Sequence, residues 1–187
     1  MQMSKRIVRD RCWAALIDVQ EFFLSAVADR RSRIETNMAN FARLLGCFQI
    51  PIVATLERPI EQKGGLPKVL KTQLDGRAEF FEKDFFDLTK EQAIRDHLRR
   101  LKKKQVIVAG CETDVCVLQS CLGLLDLGYE VYVVEDLLFS ASHNVAAALL
   151  RVKNAGAVFL TYKTLYYELT EAVDGAPLPD DLPDEAV

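Results

Sequence analysis

The sequence predicts a single-domain, three-layer αβα fold: a doubly wound, mainly parallel sheet of about six strands. Three observations carry that expectation. Short continuous apolar runs such as Ile50–Thr55, Gln105–Gly110 and Tyr129–Glu135 recur along the chain, and strands buried on both faces read in this way. Amphipathic segments of about 14 residues separate them, so parallel pairing through crossovers follows. Finally, 187 residues with 50% hydrophobic side chains suit one sizeable core rather than two domains.

In chain order, Trp13–Asp18 is a short apolar run ending in an acid, read as a buried strand. Arg31–Cys47 places Ile34, Met38, Phe41, Leu44 and Leu45 at helical spacing. Ile50–Thr55 is the second strand, with Pro51 near its start where a missing donor is tolerated. From Glu57 to Ala78 the chain carries Pro59, Gly64, Gly65, Pro67 and Gly76 and reads as a long loop; such loops are usually functional. Glu79–Lys83 is the third strand. A capping box of Thr89 and Gln92 is expected to open a helix that runs to Lys104. Gln105–Gly110 is the fourth strand, Thr113–Leu127 a helix stopped by Gly128, and Tyr129–Glu135 the fifth strand. Ser142–Ala155 reads as a helix, Ala157–Thr161 as the sixth strand and Leu165–Ala172 as a last short helix.

Residues 1–12 are assigned to an N-terminal extension, 13–172 to the domain, and 173–187 to a tail. From Asp174 onward that tail holds three prolines and five acids with no base. It is expected either to stay disordered or to lie as an arm across a neighbouring subunit. Lys plus Arg number 24 against 27 Asp plus Glu, a net charge of -3, which removes the electrostatic footprint of a dedicated nucleic-acid binder. No run approaches the length of a membrane span. Five cysteines, at 12, 47, 111, 116 and 121, are odd in number and lack zinc or secreted spacing, which fits reduced thiols and a cytoplasmic location.

Open α/β sheets bind ligands beyond the carboxyl ends of their strands. That rule selects Asp18 after the first strand, Lys83 at the end of the third and Cys116 in the turn after the fourth. Each has a structural alternative. Asp18 is as fit to cap a helix, Lys83 to be a solvated surface lysine, and Cys116 to be a small buried hydrophobe. The topology nonetheless sends all three to one rim. Cys116 lies in the first turn of its helix, where free N–H groups and the dipole favour a thiolate. With Lys83 nearby, its pKa is expected below about 8.5. Burial in a pocket and an ionised Asp18 would oppose that, and if Asp18 stays charged the alternative is a thiol protonated until substrate arrives. Cys121 reads as core and Cys111 as a turn residue. Neither His97 nor His143 is spaced for a metal; a Cys116–His143 dyad stays geometrically open. Glycine-rich nucleotide motifs are missing from the sequence.

The segments Leu16–Gln20, Phe81–Lys83 and, above all, Val106–Val117 with its Gly110-Cys-Glu-Thr-Asp-Val-Cys116 core resemble the isochorismatase-like cysteine hydrolase superfamily. The resemblance runs from about Trp13 to Leu169 and also takes in Leu127–Asp136 and Arg151–Ala157. In motif the chain is most similar to the isochorismatase-domain-containing subgroup. The resemblance implies a Rossmann-like αβα fold. It also implies Cys116 as nucleophile, Asp18 as general base and Lys83 as the cation beside them. A non-proline cis bond between Cys111 and Glu112 would help the backbone N–H groups of Glu112 and Cys116 form an oxyanion hole. Gln20, Phe22, Phe23 and Thr113 are candidates for the substrate pocket, and a homo-oligomer is implied.

The departures matter too. Nicotinamidases of this superfamily carry an Asp-x-His metal site after the second strand; here Thr55-Leu-Glu57-Arg58-Pro59 has no His, so neither a metal nor any cofactor is expected. Phe22, Phe23, Phe85 and Phe86 suit an apolar pocket wall, the core or a subunit interface. Three functions stay open: hydrolysis of a small amide-like C–N bond, vinyl-ether hydrolysis with Cys116 incidental, and non-catalytic binding by an oligomer of this fold.

Overall fold

The computed structural model describes residues 5–174; the expected tail lies almost wholly outside them. Six strands form one sheet: β1 (Cys12–Ile17), β2 (Ile52–Glu57), β3 (Ala78–Lys83), β4 (Gln105–Gly110), β5 (Glu130–Leu138) and β6 (Val158–Leu160). Their order is β3-β2-β1-β4-β5-β6, and every pairing is parallel. The chain winds outward in one direction from β1 to β3 and in the other from β4 to β6. The switch point therefore lies between β1 and β4, where a ligand crevice is expected.

Alternation along the central strands feeds two cores. Cys12, Ala14 and Leu16 of β1, with Ile107 and Ala109 of β4, face one side. There they meet α1 (Glu21–Ser25), α2 (Arg31–Cys47), α4 (Lys68–Leu74) and α8 (Tyr162–Thr170) through Leu24, Phe41, Leu70 and Leu165. Trp13, Ala15 and Ile17, with Val106 and Val108, face the other side. Their partners are α5 (Gln92–Leu101), α6 (Leu118–Asp126) and α7 (Ala146–Asn154), through Leu98, Cys121 and Val152. Cys121 is thus the core residue its spacing suggests.

Several local expectations are corrected. The stretch after β2 is not one loop: it holds α3 (Ile60–Lys63) and α4, each preceded by a proline, Pro59 and Pro67. A proline lacks only a donor that a first turn leaves unpaired anyway, so these prolines begin helices. Thr89 is not an N-cap. Asp87 caps a short 3-10 turn, Leu88–Lys90, by accepting from the Thr89 N–H at 2.8 Å, and α5 starts later and ends at Leu101. The segment after β4 begins as a π turn, Thr113–Val117, before α6. A capping box at Thr161 and Thr164 opens α8 at Tyr162, ahead of the expected start at Leu165.

Two backbone positions at the switch point are unusual. Gly110 adopts φ +122°, and a Cβ there would overlap the Ile17 carbonyl oxygen, so β4 approaches β1 as only glycine allows. Asp18 has φ +50°, a left-handed turn that Asp tolerates better than most side chains. Its N–H donates to the Thr55 carbonyl at 3.1 Å, and its own carbonyl accepts from the Gln20 N–H at 2.7 Å.

Candidate active site

Four neighbouring strands each deliver one chemically capable side chain to the carboxyl rim: Lys83 from β3, Glu57 from β2, Asp18 just after β1 and Cys116 after β4. Asp18 and Lys83 are fully closed to solvent and Cys116 is 1% exposed. Lys83 Nζ lies 2.7 Å from Asp18 Oδ2, 3.5 Å from Glu57 Oε2 and 3.4 Å from Cys116 Sγ, to which it donates. Asp18 Oδ1 accepts from the Thr55 hydroxyl at 2.7 Å. The structure therefore brings the three rim residues together.

It also adds a fourth that the sequence reading passed over. The Cys116 thiol donates to Glu57 Oε2 at 2.8 Å, and the other Glu57 oxygen is ion-paired with Lys63 of α3. Gln20, completely buried, clamps the backbone here: its Oε1 accepts from the Glu57 N–H at 2.7 Å, while its Nε2 donates to the Glu57 and Gly64 carbonyls at 3.1 and 2.8 Å. Gln20 is thus a staple between β2 and the end of α3, and its amide is committed to backbone rather than free to line a pocket. Phe23 is buried beneath the Lys63 ammonium, 5.8 Å from its ring centre. Phe22, Phe85 and Phe86 are all more than half exposed and do not form an enclosed wall. His143 is exposed in the loop before α7; the thiol's side-chain partners are Glu57 and Lys83 instead.

The turn after β4 is held from several sides. The Cys111–Glu112 peptide is cis. The Cys111 thiol donates to the Asp18 carbonyl at 2.9 Å, and the Thr113 N–H donates to the Phe139 carbonyl at 3.1 Å. Val115 and Val117 N–H groups both go to the Glu112 carbonyl at 3.1 Å. Glu112 Oε1 turns outward to accept from the Ala141 N–H at 3.2 Å, and Thr113 is buried. From α6, Ser120 accepts from the Leu88 N–H at 3.1 Å and donates to the Phe86 carbonyl at 3.2 Å. The loop after Lys83 is thereby fixed to the helix that follows the Cys116 turn.

Electrostatics separate the two carboxylates. Burial raises the Asp18 carboxyl above its ordinary range, and the charge of Lys83 and its hydrogen bonds only partly offset this. Burial acts on Glu57 as well, but hydrogen bonds from Cys116 and Lys63 and the charges of Lys83 and Lys63 outweigh it, so Glu57 lies below its ordinary value. Burial opposes the Lys83 charge, yet Asp18, Cys116 and Glu57 more than compensate and raise it. Cys116 corrects the expectation of an acidic thiol. Burial pushes it well up and the Asp18 charge adds to that; Lys83 opposes, while Glu57 raises it further. The resting residue is a neutral thiol.

Asp18, Glu57 and Cys116 present three ligand-type atoms within 4.8 Å of one another, a spacing a metal ion could use. Lys83 Nζ stands within 3.5 Å of all three, so a protein cation already occupies that position.

The isochorismatase domain profile matches residues 13–164. This chain belongs to the isochorismatase family. Among its relatives is a secreted isochorismatase effector, Isc1, of Phytophthora sojae, 32% identical over 81% of this chain and 73% of that one. Isochorismatase domain-containing protein 2 of Bos taurus is also 32% identical, over 82% and 72%, in line with the subgroup resemblance read from the motif. Among solved structures, MAR1 ribonuclease of Caenorhabditis elegans superimposes with a TM-score of 0.81 at 26% identity, covering 95% and 97% of the two chains. The YcaC product of Escherichia coli, described as an octameric hydrolase of unknown specificity, gives 0.82 at 22% identity over 92% and 85%. The fold is theirs, and the chain is an isochorismatase-family hydrolase.

Proposed function

We propose that this hydrolase cleaves a small amide-like C–N bond, with Cys116 as nucleophile, Asp18 as general base and Lys83 as the cation between them. One observation carries the reading: Lys83 Nζ bridges Asp18 at 2.7 Å and the Cys116 thiol at 3.4 Å at the topological switch point. The pKa pattern agrees, because a carboxylate raised by burial is a better proton acceptor than an ordinary one.

In this reaction the thiol proton passes to Asp18 as Sγ bonds the substrate carbonyl carbon. The developing oxyanion is held by the backbone N–H groups of Glu112 and Cys116, whose neighbours at Thr113, Val115 and Val117 are spent on protein carbonyls. Asp18 returns the proton to the scissile nitrogen, the C–N bond breaks and the amine leaves. Water then attacks the thioester, giving one proton to Asp18; the C–S bond breaks, the acid leaves, and Asp18 returns that proton to Sγ to restore the neutral thiol. Lys83 stays protonated throughout and balances the negative charge wherever it sits.

The protein is further proposed to act on a small molecule as a homo-oligomer, which the octameric YcaC relative supports, and to reside in the cytoplasm, which its five free cysteines support. An activity screen over small amides, with Cys116→Ala as the blank, tests the reaction. Hydrolysis by the wild type alone is expected. Turnover of a vinyl ether by Cys116→Ala, or of an RNA oligonucleotide in place of every amide, would overturn it.

A further inference from the structure

We infer that Glu57, held by Lys63, is a positioning residue that accepts the S–H hydrogen bond of Cys116 and so keeps the resting thiol neutral. The inference rests on Cys116 being the nucleophile, and Glu57 has no part in the triad read from the sequence.

The placement of Glu57 is overdetermined. Its N–H and carbonyl are both gripped by the amide of Gln20, one of its carboxylate oxygens is paired with Lys63, and the other accepts the hydrogen bond of the thiol at 2.8 Å. Gln20 also reaches Gly64, the residue after Lys63, at 2.8 Å. The oxygen that receives the S–H is therefore set by β2, by the turn after β1 and by α3 together. A carboxylate on a free side chain would swing away; this one is not free to do so.

Charge counting then says what it does. The groups facing the thiol are Asp18, Glu57 and Lys83, with Lys63 facing Glu57 from outside. Cys111, alongside, is a neutral donor to the Asp18 carbonyl. Two anions meet two cations, so the site is balanced only while sulfur keeps its proton. A thiolate would be a third anion, and its hydrogen bond to Glu57 would turn into a like-charge contact. Glu57 itself is the weaker base of the two acids, stabilised as an anion by Lys63. When the proton moves, the S–H bond breaks, the S–C bond forms and Asp18 gains the hydrogen, while Glu57 remains ionised. Glu57 thus restrains the nucleophile until a substrate carbonyl makes the transfer worthwhile, and Lys63 sets how strong that restraint is.

Site-resolved alkylation tests this. Iodoacetamide at neutral pH is mapped by mass spectrometry onto each cysteine in the wild type, Glu57→Gln and Lys63→Met. Each unit by which a thiol pKa falls raises its thiolate tenfold, and lower nucleophilicity takes back about half of that on a logarithmic scale, a net gain of about threefold. Glu57→Gln is expected to speed labelling of Cys116 by about threefold or more. Lys63→Met is expected to slow it, because Glu57 then repels the thiolate uncompensated. Simple uncovering of the thiol would do the reverse. Cys12 and Cys121, buried elsewhere, must keep their wild-type rates, which separates the effect from a loosened fold. Unchanged or slower labelling in Glu57→Gln, or faster labelling in Lys63→Met, overturns the inference. Amide turnover by Cys116→Ala would instead overturn the functional reading, so the two failures are distinguishable.

Discussion

Asp18 and Lys83 form an ion pair with no exposure to water, and such pairs are costly to break from one side. Lys83→Met would leave a buried carboxylate with Thr55 as its remaining side-chain partner, and a loss of about 3–5 kcal/mol in chemical denaturation is expected. Asp18→Asn combined with Lys83→Met should recover part of that loss, since no unpaired charge remains. The raised Asp18 carboxyl also fixes a sign for activity. As pH falls through its elevated value, Asp18 binds a proton in the resting enzyme and can no longer accept one from the thiol. The acid limb of kcat/KM is therefore expected above the ordinary aspartate range, and Asp18→Asn should lack turnover across the profile. A limb at or below that range would contradict Asp18 as base. Asp18, Lys83 and Cys116 were legible because each ends or follows a strand, and the carboxyl-end rule needs no more than that. A boundary hides Glu57: the expected second strand ends at Thr55, whereas β2 runs on to Glu57. Extending the strand by one alternation would have placed a further acid on the same rim. The direction of the thiol's shift depends on how far burial and Asp18 outweigh the helix position and Lys83, and on the second carboxylate, Glu57, and neither of these is legible in the sequence.

At the scale of elements, the alternation of strands and helices was readable because it depends on apolar runs, while helix starts depend on which side chain finds which backbone group. Thr89 and Gln92 have the spacing of a capping box, yet the Thr89 hydroxyl donates to Asp87 at 2.7 Å and a 3-10 turn intervenes. Prolines and glycines after β2 suggested irregular chain, although each proline there precedes a helix. Glycine was more informative between strands than within loops. Gly110→Ala would drive a methyl group into the Ile17 carbonyl and impose a left-handed φ on a side chain. The two effects together are expected to cost on the order of 3 kcal/mol. Because Cys111 follows directly, turnover should fall more than stability alone explains, which comparison of thermal midpoints with kcat/KM would show. A variant of wild-type stability would mean that β4 has room to move away from β1.

For the whole molecule, Phe22, Phe85 and Phe86 leave a strongly apolar character near the rim, each more than half exposed. Light scattering is expected to return a multiple of the protomer mass at micromolar concentration, and Phe85→Ser with Phe86→Ser to shift it toward the protomer. A protomer mass for the wild type would count against assembly. The strand order carries one more consequence, for how the molecule comes into being. β1 has β2 near it in sequence, but its other neighbour arrives much later: Cys111 and Asp18, joined by a hydrogen bond, are 93 residues apart. Contacts of such separation form late, because loop closure must precede any gain. During synthesis, Asp18, Glu57 and Lys83 are all made before the thiol they surround. In refolding, shielding of Cys116 from alkylation is expected to appear with the slowest cooperative phase, after helical circular dichroism has recovered. Cys116 is then a clock for the closing of the sheet, and a nascent chain that stops short of β4 carries Asp18, Glu57 and Lys83 without the thiol they come to surround.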